Sequence, residues 1–146
     1  RRPVVVRILV VAEGKLKERG LRELADDYLR RIRRNARCEE LELRDATGFE
    51  RVVPEGTLRV ALEVRGKTYS STQFASQLER WAQTKAGVAF LIGGAEGLPR
   101  ELSSQCEAQL SLSTMTLPHR IARLILLEQI YRGLSILRGE PYAREG

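Results

Sequence analysis

The chain alternates between short, nearly unbroken apolar runs and longer stretches that are apolar on one face only. Val4–Ala12, "VVVRILVVA", is almost wholly β-branched or aliphatic, the pattern of a strand covered on both faces. Leu21, Leu24, Ala25, Tyr28, Leu29 and Ile32 then recur at helical spacing, which predicts an amphipathic helix. Cys38–Leu43 alternates like a half-buried strand, and Leu58–Val64 predicts another strand, closed by a turn at "RGK". Between them "DATGFERVVPEG" is polar and rich in turn formers, and reads as a loop. Ser70 and Gln73 match a capping box ahead of a helix that carries Phe74, Leu78 and Trp81 on one face. Gly87–Ile92 is a short apolar strand, a short helix follows Pro99, and a further strand runs through Leu110 to Leu112. Pro118 suits the first turn of a last helix reaching about Leu137. Strands alternating with helices predict an α/β fold with a mostly parallel sheet and helices on both faces. No repeat or linker composition divides residues 1–146, so a single domain is expected.

The last helix is too apolar for a single buried face. Ile121, Leu124, Ile125, Leu126, Leu127, Ile130, Tyr131, Leu134 and Leu137 wrap beyond one stripe. A helix of that kind is covered on more than one side, and in a chain of 146 residues the second cover is expected to be another copy, making a homodimer. The basic, apolar N-terminal stretch is followed by Glu13, Lys15 and Lys17 without a small-residue cleavage site, so it reads as a strand and not as a signal peptide. No run has the length of a membrane span. Cys38 and Cys106 lack metal-site spacing, so neither a metal nor a disulfide is expected, and a reducing cytoplasm is. A net charge of +6 favours a polyanionic partner. Arg30, Arg31, Arg33, Arg34 and Arg37 form the densest basic run, with a phosphate-binding face and a solvated helix face as its two readings.

Chemistry concentrates after the Gly87–Ile92 strand, where "GGAEG" (93–97) follows without a break. In parallel sheets, ligands bind beyond the carboxyl ends of strands. The spacing is neither a dinucleotide fingerprint nor a P-loop, and the nucleophile elbow of hydrolases is absent. On spacing alone, a tight structural turn and a ligand cradle stand level.

A second segment joins it. "LSTMTLPH" bends from a strand into the last helix, which continues as "EQIYRGLSILRGEPYARE". With "LIGGAEGL", these motifs strongly resemble the RlmH family of small SPOUT methyltransferases. That resemblance implies a knotted α/β fold, a SPOUT-type trefoil knot in the C-terminal part that binds S-adenosylmethionine. It also implies a homodimer with its site near the subunit interface. The implied activity is methylation of N3 of a pseudouridine in large-subunit ribosomal RNA, with the assembled ribosome as substrate. By motif, the cofactor contacts are Leu62, Gly93, Gly94, Leu112, Ser113, Thr114, Met115, Thr116 and Leu117. Their residue types suit a backbone that closes on the ligand between apolar walls.

Methyl transfer from a sulfonium is an in-line displacement, and an imide nitrogen is a weak nucleophile until it loses its proton. The site therefore needs a base, or a cation that stabilises the imide anion. Candidates are Glu96, His119, Tyr142 and Arg144. His119, the only histidine, could take a proton or hold the base, or simply bond nearby backbone. Glu96 could act as a base or cap a turn. Tyr142 could stack on the target, and Arg144 could meet phosphate or the anionic base. Ala143 and Glu140 stand where the family commonly has histidines, which removes basic character from the tail. The competing expectations are a non-catalytic RNA- or ribosome-binding factor on the same fold, and a methyltransferase acting on another RNA such as tRNA.

Overall fold

The computed structural model describes residues 6–84 and 86–144. Its elements are β1 (Arg7–Glu13), α1 (Arg19–Arg33), β2 (Arg37–Leu43), α2 (Phe49–Val52), β3 (Leu58–Thr68), α3 (Ser71–Ala82), β4 (Val88–Ile92), α4 (Arg100–Gln105), β5 (Ala108–Ser111) and α5 (His119–Arg138). The strands form one sheet in the order β2-β1-β4-β3-β5, and every pairing is parallel. Val4 and Val5 of the expected first strand lie outside the described residues.

Strand alternation divides the interior into two layers. Ile8, Val10 and Ala12 of β1, Val60 of β3 and Val88, Phe90 and Ile92 of β4 face the larger core, where α1, α3 and α5 cover them. Val11, Ala61, Ala89 and Leu91 face the other side, against Phe49, Leu102 and Cys106 of the short α2 and α4 segments. Apolar runs such as "VAFLI", buried at every position, follow from this cover on both faces. In the larger core Trp81 meets both Phe74 and Phe90 near edge-on, with ring centroids 6.3 and 6.1 Å apart.

The capping box is formed. The Gln73 amide donates to Ser70 Oγ at 3.1 Å, and the Ser70 amide donates to Gln73 Oε1 at 2.9 Å. Ser70→Ala is expected to lower stability by about 1 kcal/mol. A urea midpoint indistinguishable from wild type would contradict that.

Two expectations are corrected. The polar stretch 45–56 is not all loop: Asp45 accepts the Thr47 amide at 2.9 Å and starts a 3-10 turn, Ala46–Gly48, that runs into α2. This short helix forms because Phe49 is fully buried in the second core layer, a tertiary gain that local composition hides. The "RGK" turn is also absent. β3 slips register against β5, from Leu62 opposite Leu110 to Lys67 opposite Leu110, and then pairs on to Thr68. Gly66 permits the return, since a Cβ there would lie 2.7 Å from the Gln109 backbone.

Among the described residues no helix is long and apolar enough to cross a membrane. Both cysteines are buried and free. Burial pushes the Cys38 thiol up to about 12 and raises that of Cys106, so both favour the unreactive thiol form. The basic run is also partly committed. Arg30 and Arg31 pair with Asp27, Arg31 lies over the Tyr28 and Tyr131 rings, and Arg33 donates to the Cys38 carbonyl.

Candidate active site

A cavity of about 540 Å³ opens at the carboxyl ends of β4 and β5 and beside the register slip in the middle of β3, along the edge at which parallel sheets hold ligands. The glycine loop makes one wall. The Gly97 amide donates to the Gly94 carbonyl at 2.9 Å, and the two residues form an isolated antiparallel bridge. The loop needs glycine chiefly to pack on itself. A Cβ at Gly93 would lie 2.3 Å from the Gly97 carbonyl carbon and 2.4 Å from the Leu98 nitrogen, and Gly97 sits at φ +79°. Gly94 backs onto the Glu13 carboxylate, 3.1 Å from where its Cβ would be.

The bend after β5 makes the facing wall and is held by its own hydroxyls. Ser111 Oγ donates to the Ser113 carbonyl at 2.8 Å, and Ser113 Oγ accepts the Met115 amide at 2.9 Å. Pro118 caps α5 in an extended conformation, ψ 140°, just ahead of its first turn. His119 therefore begins the helix at the cavity rim, half-buried.

Most of the residues expected at a cofactor come together here. Leu62, Gly93, Gly94, Leu112, Ser113, Met115, Thr116 and Leu117 all line the cavity, and so does His119, expected to act on the target base. Thr114 is on the same bend without lining it, and Glu96 is exposed on the glycine loop and outside the cavity. The cavity also takes Glu63 and Val64, which sequence reasoning missed. They sit in the register slip of β3, and a strand read as closing at a turn gives no reason to place them at a site.

Tyr142 lies elsewhere. Gly139 adopts the left-handed conformation (φ 69°) and ends α5, the Glu140 amide returns to the Ser135 carbonyl at 2.9 Å, and a 3-10 turn, Pro141–Arg144, folds back along the helix. The Tyr142 hydroxyl donates to Glu128 at 2.9 Å and lies 3.1 Å from that of Tyr28. Its ring stands edge-on to Tyr131 at 4.6 Å. Burial, then the bonds to Tyr28 and Glu128, raise the Tyr142 pKa, so the phenol stays neutral. Glu128 is nine residues along α5 from His119, roughly 13 Å at about 1.5 Å per residue. In one chain the tail and the cavity stand apart.

Comparison with known proteins decides the family. The family model described as "Predicted SPOUT methyltransferase" matches residues 6–143. The chain belongs to the SPOUT methyltransferase family. This SPOUT methyltransferase is 46% identical to "Ribosomal RNA large subunit methyltransferase H" of Sorangium cellulosum, over 94% of this chain and 99% of the relative. It is 41% identical to the protein of the same name from Acetivibrio thermocellus, over 95% and 100%. Its fold is similar to that of a probable methylase family protein from Haemophilus influenzae (TM-score 0.64, 11% identity, 90% of this chain and 68% of the other). It is also similar to the SpoU methyltransferase AviRb of Streptomyces viridochromogenes, solved with AdoMet (TM-score 0.53, 15% identity, 89% and 59%).

Proposed function

We propose that this SPOUT methyltransferase transfers a methyl group from S-adenosylmethionine to N3 of a pseudouridine in large-subunit ribosomal RNA. On this reading it works on the assembled ribosome in the cytoplasm, as a homodimer whose residues 1–146 form one knotted domain. The observation that carries it is the meeting of the glycine loop and the 112–118 bend at one cavity, in a chain whose near-full-length relatives bear a ribosomal RNA methyltransferase name.

The cavity fits the cofactor by its own construction. Its walls are glycine backbone and the aliphatic groups of Leu62, Leu112, Met115 and Leu117, suited to a nucleoside held largely through main-chain contacts. Gly93, Gly94, Ser113, Thr114 and Thr116 are assigned to the same contacts. S-adenosylmethionine, once bound, supplies an electrophilic methyl on a sulfonium. The protein then has to align the acceptor nitrogen with that methyl and stabilise the imide anion. His119 at the rim is assigned to holding the target base, and Arg144 to its anionic form or the adjoining phosphate. Tyr142 stacks beside it. Glu96 is not in the cavity wall, and nothing in the geometry favours it as a base.

The position of the tail supports the dimer. Tyr142 is anchored along α5, away from the cavity of its own chain, so a second copy would have to deliver Arg144. Apolar surface remains for that contact: Ile121 and Leu137 of α5 are 36% and 38% exposed, and Met115 at the cavity rim is 75% exposed. The cover expected for this helix from its apolar pattern is not completed within one chain.

The primary test is methyl transfer from labelled S-adenosylmethionine to ribosomes lacking the modification, with free rRNA and tRNA alongside and the product located by mass spectrometry. A methylated pseudouridine in large-subunit rRNA is the expected result. Labelling of tRNA alone would favour the other-RNA alternative, and cofactor binding without transfer would favour the non-catalytic factor. Arg144→Ala is expected to lower transfer at least about a hundredfold and leave cofactor affinity within about twofold. Equal loss of both would overturn that division of labour. Mixing Arg144→Ala chains with Gly93→Val chains should restore about a quarter of the activity, because half of the random dimers carry one intact site. No recovery would count against a site shared between copies.

A further inference from the structure

We propose that Glu63 recognises the ribose of the bound nucleoside, accepting hydrogen bonds from its vicinal hydroxyls. The inference rests on the reading that the cavity holds S-adenosylmethionine, and it gives that site its polar anchor.

Among the described residues Glu63 is the only carboxylate in the cavity wall. Two features put it there. The register slip of β3 begins right after Leu62, and such irregularities re-aim a strand side chain and often sit beside active sites. The side chain is then held from behind: Ser103 Oγ donates to Glu63 Oε2. Ser103 is itself buried on α4, and its carbonyl accepts the Gln109 side-chain amide at 2.9 Å. The carboxylate is thus oriented by a neutral hydroxyl, and no described cation bonds to it. Among the described residues Oε1 has no hydrogen-bond partner, so most of the acceptor capacity of an ionised carboxylate remains open.

Two parts of S-adenosylmethionine suit a carboxylate, its cationic groups and its ribose diol. A carboxylate placed against the sulfonium would stabilise a charge that disappears in the transition state, and that raises the barrier. The diol presents two adjacent O–H donors to a planar pair of acceptors and keeps its charge state throughout the reaction. Acidic residues at the edge of parallel sheets take ribose hydroxyls in this way. The remaining cavity surface is mostly aliphatic or glycine, so loss of this one group would be felt by every ligand carrying the diol.

The test is calorimetry on the full chain with S-adenosylmethionine, S-adenosylhomocysteine, 5′-methylthioadenosine and the 2′-deoxy form of S-adenosylhomocysteine. Glu63→Gln is expected to weaken the first three by the same factor, about tenfold. Wild type should disfavour the 2′-deoxy ligand by a similar factor, and the variant should largely lose that preference. Ser103→Ala, which removes only the group behind the carboxylate, should give a smaller loss in the same pattern. Wild-type affinities kept by Glu63→Gln would overturn the proposal. So would a loss that spares 5′-methylthioadenosine, which has the diol but no ammonium, or a 2′-deoxy penalty unchanged in the variant. Failure of wild type to bind any of these nucleosides would instead overturn the cofactor reading, and this inference with it.

Discussion

Gly93→Val is expected to lower S-adenosylmethionine affinity by at least about a hundredfold while the sheet and α5 stay folded. A Cβ at Gly93 would lie 2.3 Å from the Gly97 carbonyl carbon, 2.4 Å from the Leu98 nitrogen and 2.7 Å from the Gly97 Cα. All three are backbone atoms, so no side chain can swing aside. The loop would have to open by more than about 1 Å, enough to cost on the order of a hundredfold in a positioned site. Alanine carries the same Cβ and should behave nearly as badly. Gly97→Ala is the informative contrast: its φ of +79° is strained for alanine, yet nothing lies within 4 Å of the added Cβ. That variant should bind the cofactor with a much smaller loss. Calorimetry with a parallel thermal melt decides the matter, and unchanged affinity in Gly93→Val would remove the glycine loop from the cofactor site.

Arg123→Met is expected to destabilise the fold by about 3–5 kcal/mol, the range found when one partner of a buried ion pair is removed. Arg123 is 1% exposed, yet it projects from α5 into a charged cluster. Its Nη1 reaches Glu40 at 3.1 Å and Glu42 at 2.5 Å, and its Nη2 donates to the Gly14 carbonyl at 2.8 Å. Arg22 binds the same two carboxylates from α1, and Glu42 also accepts the Leu16 amide at 2.9 Å. The cluster therefore ties α5, α1 and β2 to the loop after β1. Methionine fills the space but leaves Glu40, only 7% exposed in its side chain, with less compensation.

Adding Glu40→Gln and Glu42→Gln should recover a large part of the loss, because the uncompensated charge is removed. A single-variant urea midpoint equal to that of wild type would sink the assignment. The acid limb supplies a second check. Burial works to raise the Glu42 carboxyl, but the Leu16 amide, Arg123 and Arg22 together hold it below its ordinary value of 4.5. Stability from this group is therefore present above pH 4.5 and lost as pH falls through the lower folded value. That acid-side slope should be shallower in Arg123→Met.

The periodicities by themselves determined the α/β alternation, the capping box at Ser70 and the apolar strand ahead of the glycines, because each is a local pattern repeated at the spacing of its own element. The motifs "LIGGAEGL" and "LSTMTLPH" likewise pointed to the two segments, the glycine loop and the bend before α5, that face each other across the cavity, since a loop that must close on itself without a Cβ leaves glycine in the chain. Tertiary structure decided the rest. Phe49 makes a helix in a polar stretch because a second core layer awaits it, and β3 runs past "RGK" because Gly66 can lie against the β5 backbone. Arg123, one arginine among many in the chain, became the buried tie of α5 only once Glu40 and Glu42 were brought beside it. Glu63 gained its place through a slip in register, and Tyr142 stands apart from the cavity of its own chain because Gly139 turned the tail back onto Glu128 and Tyr131. Each of these depends on contacts between residues far apart in the chain, and no local pattern carries that information.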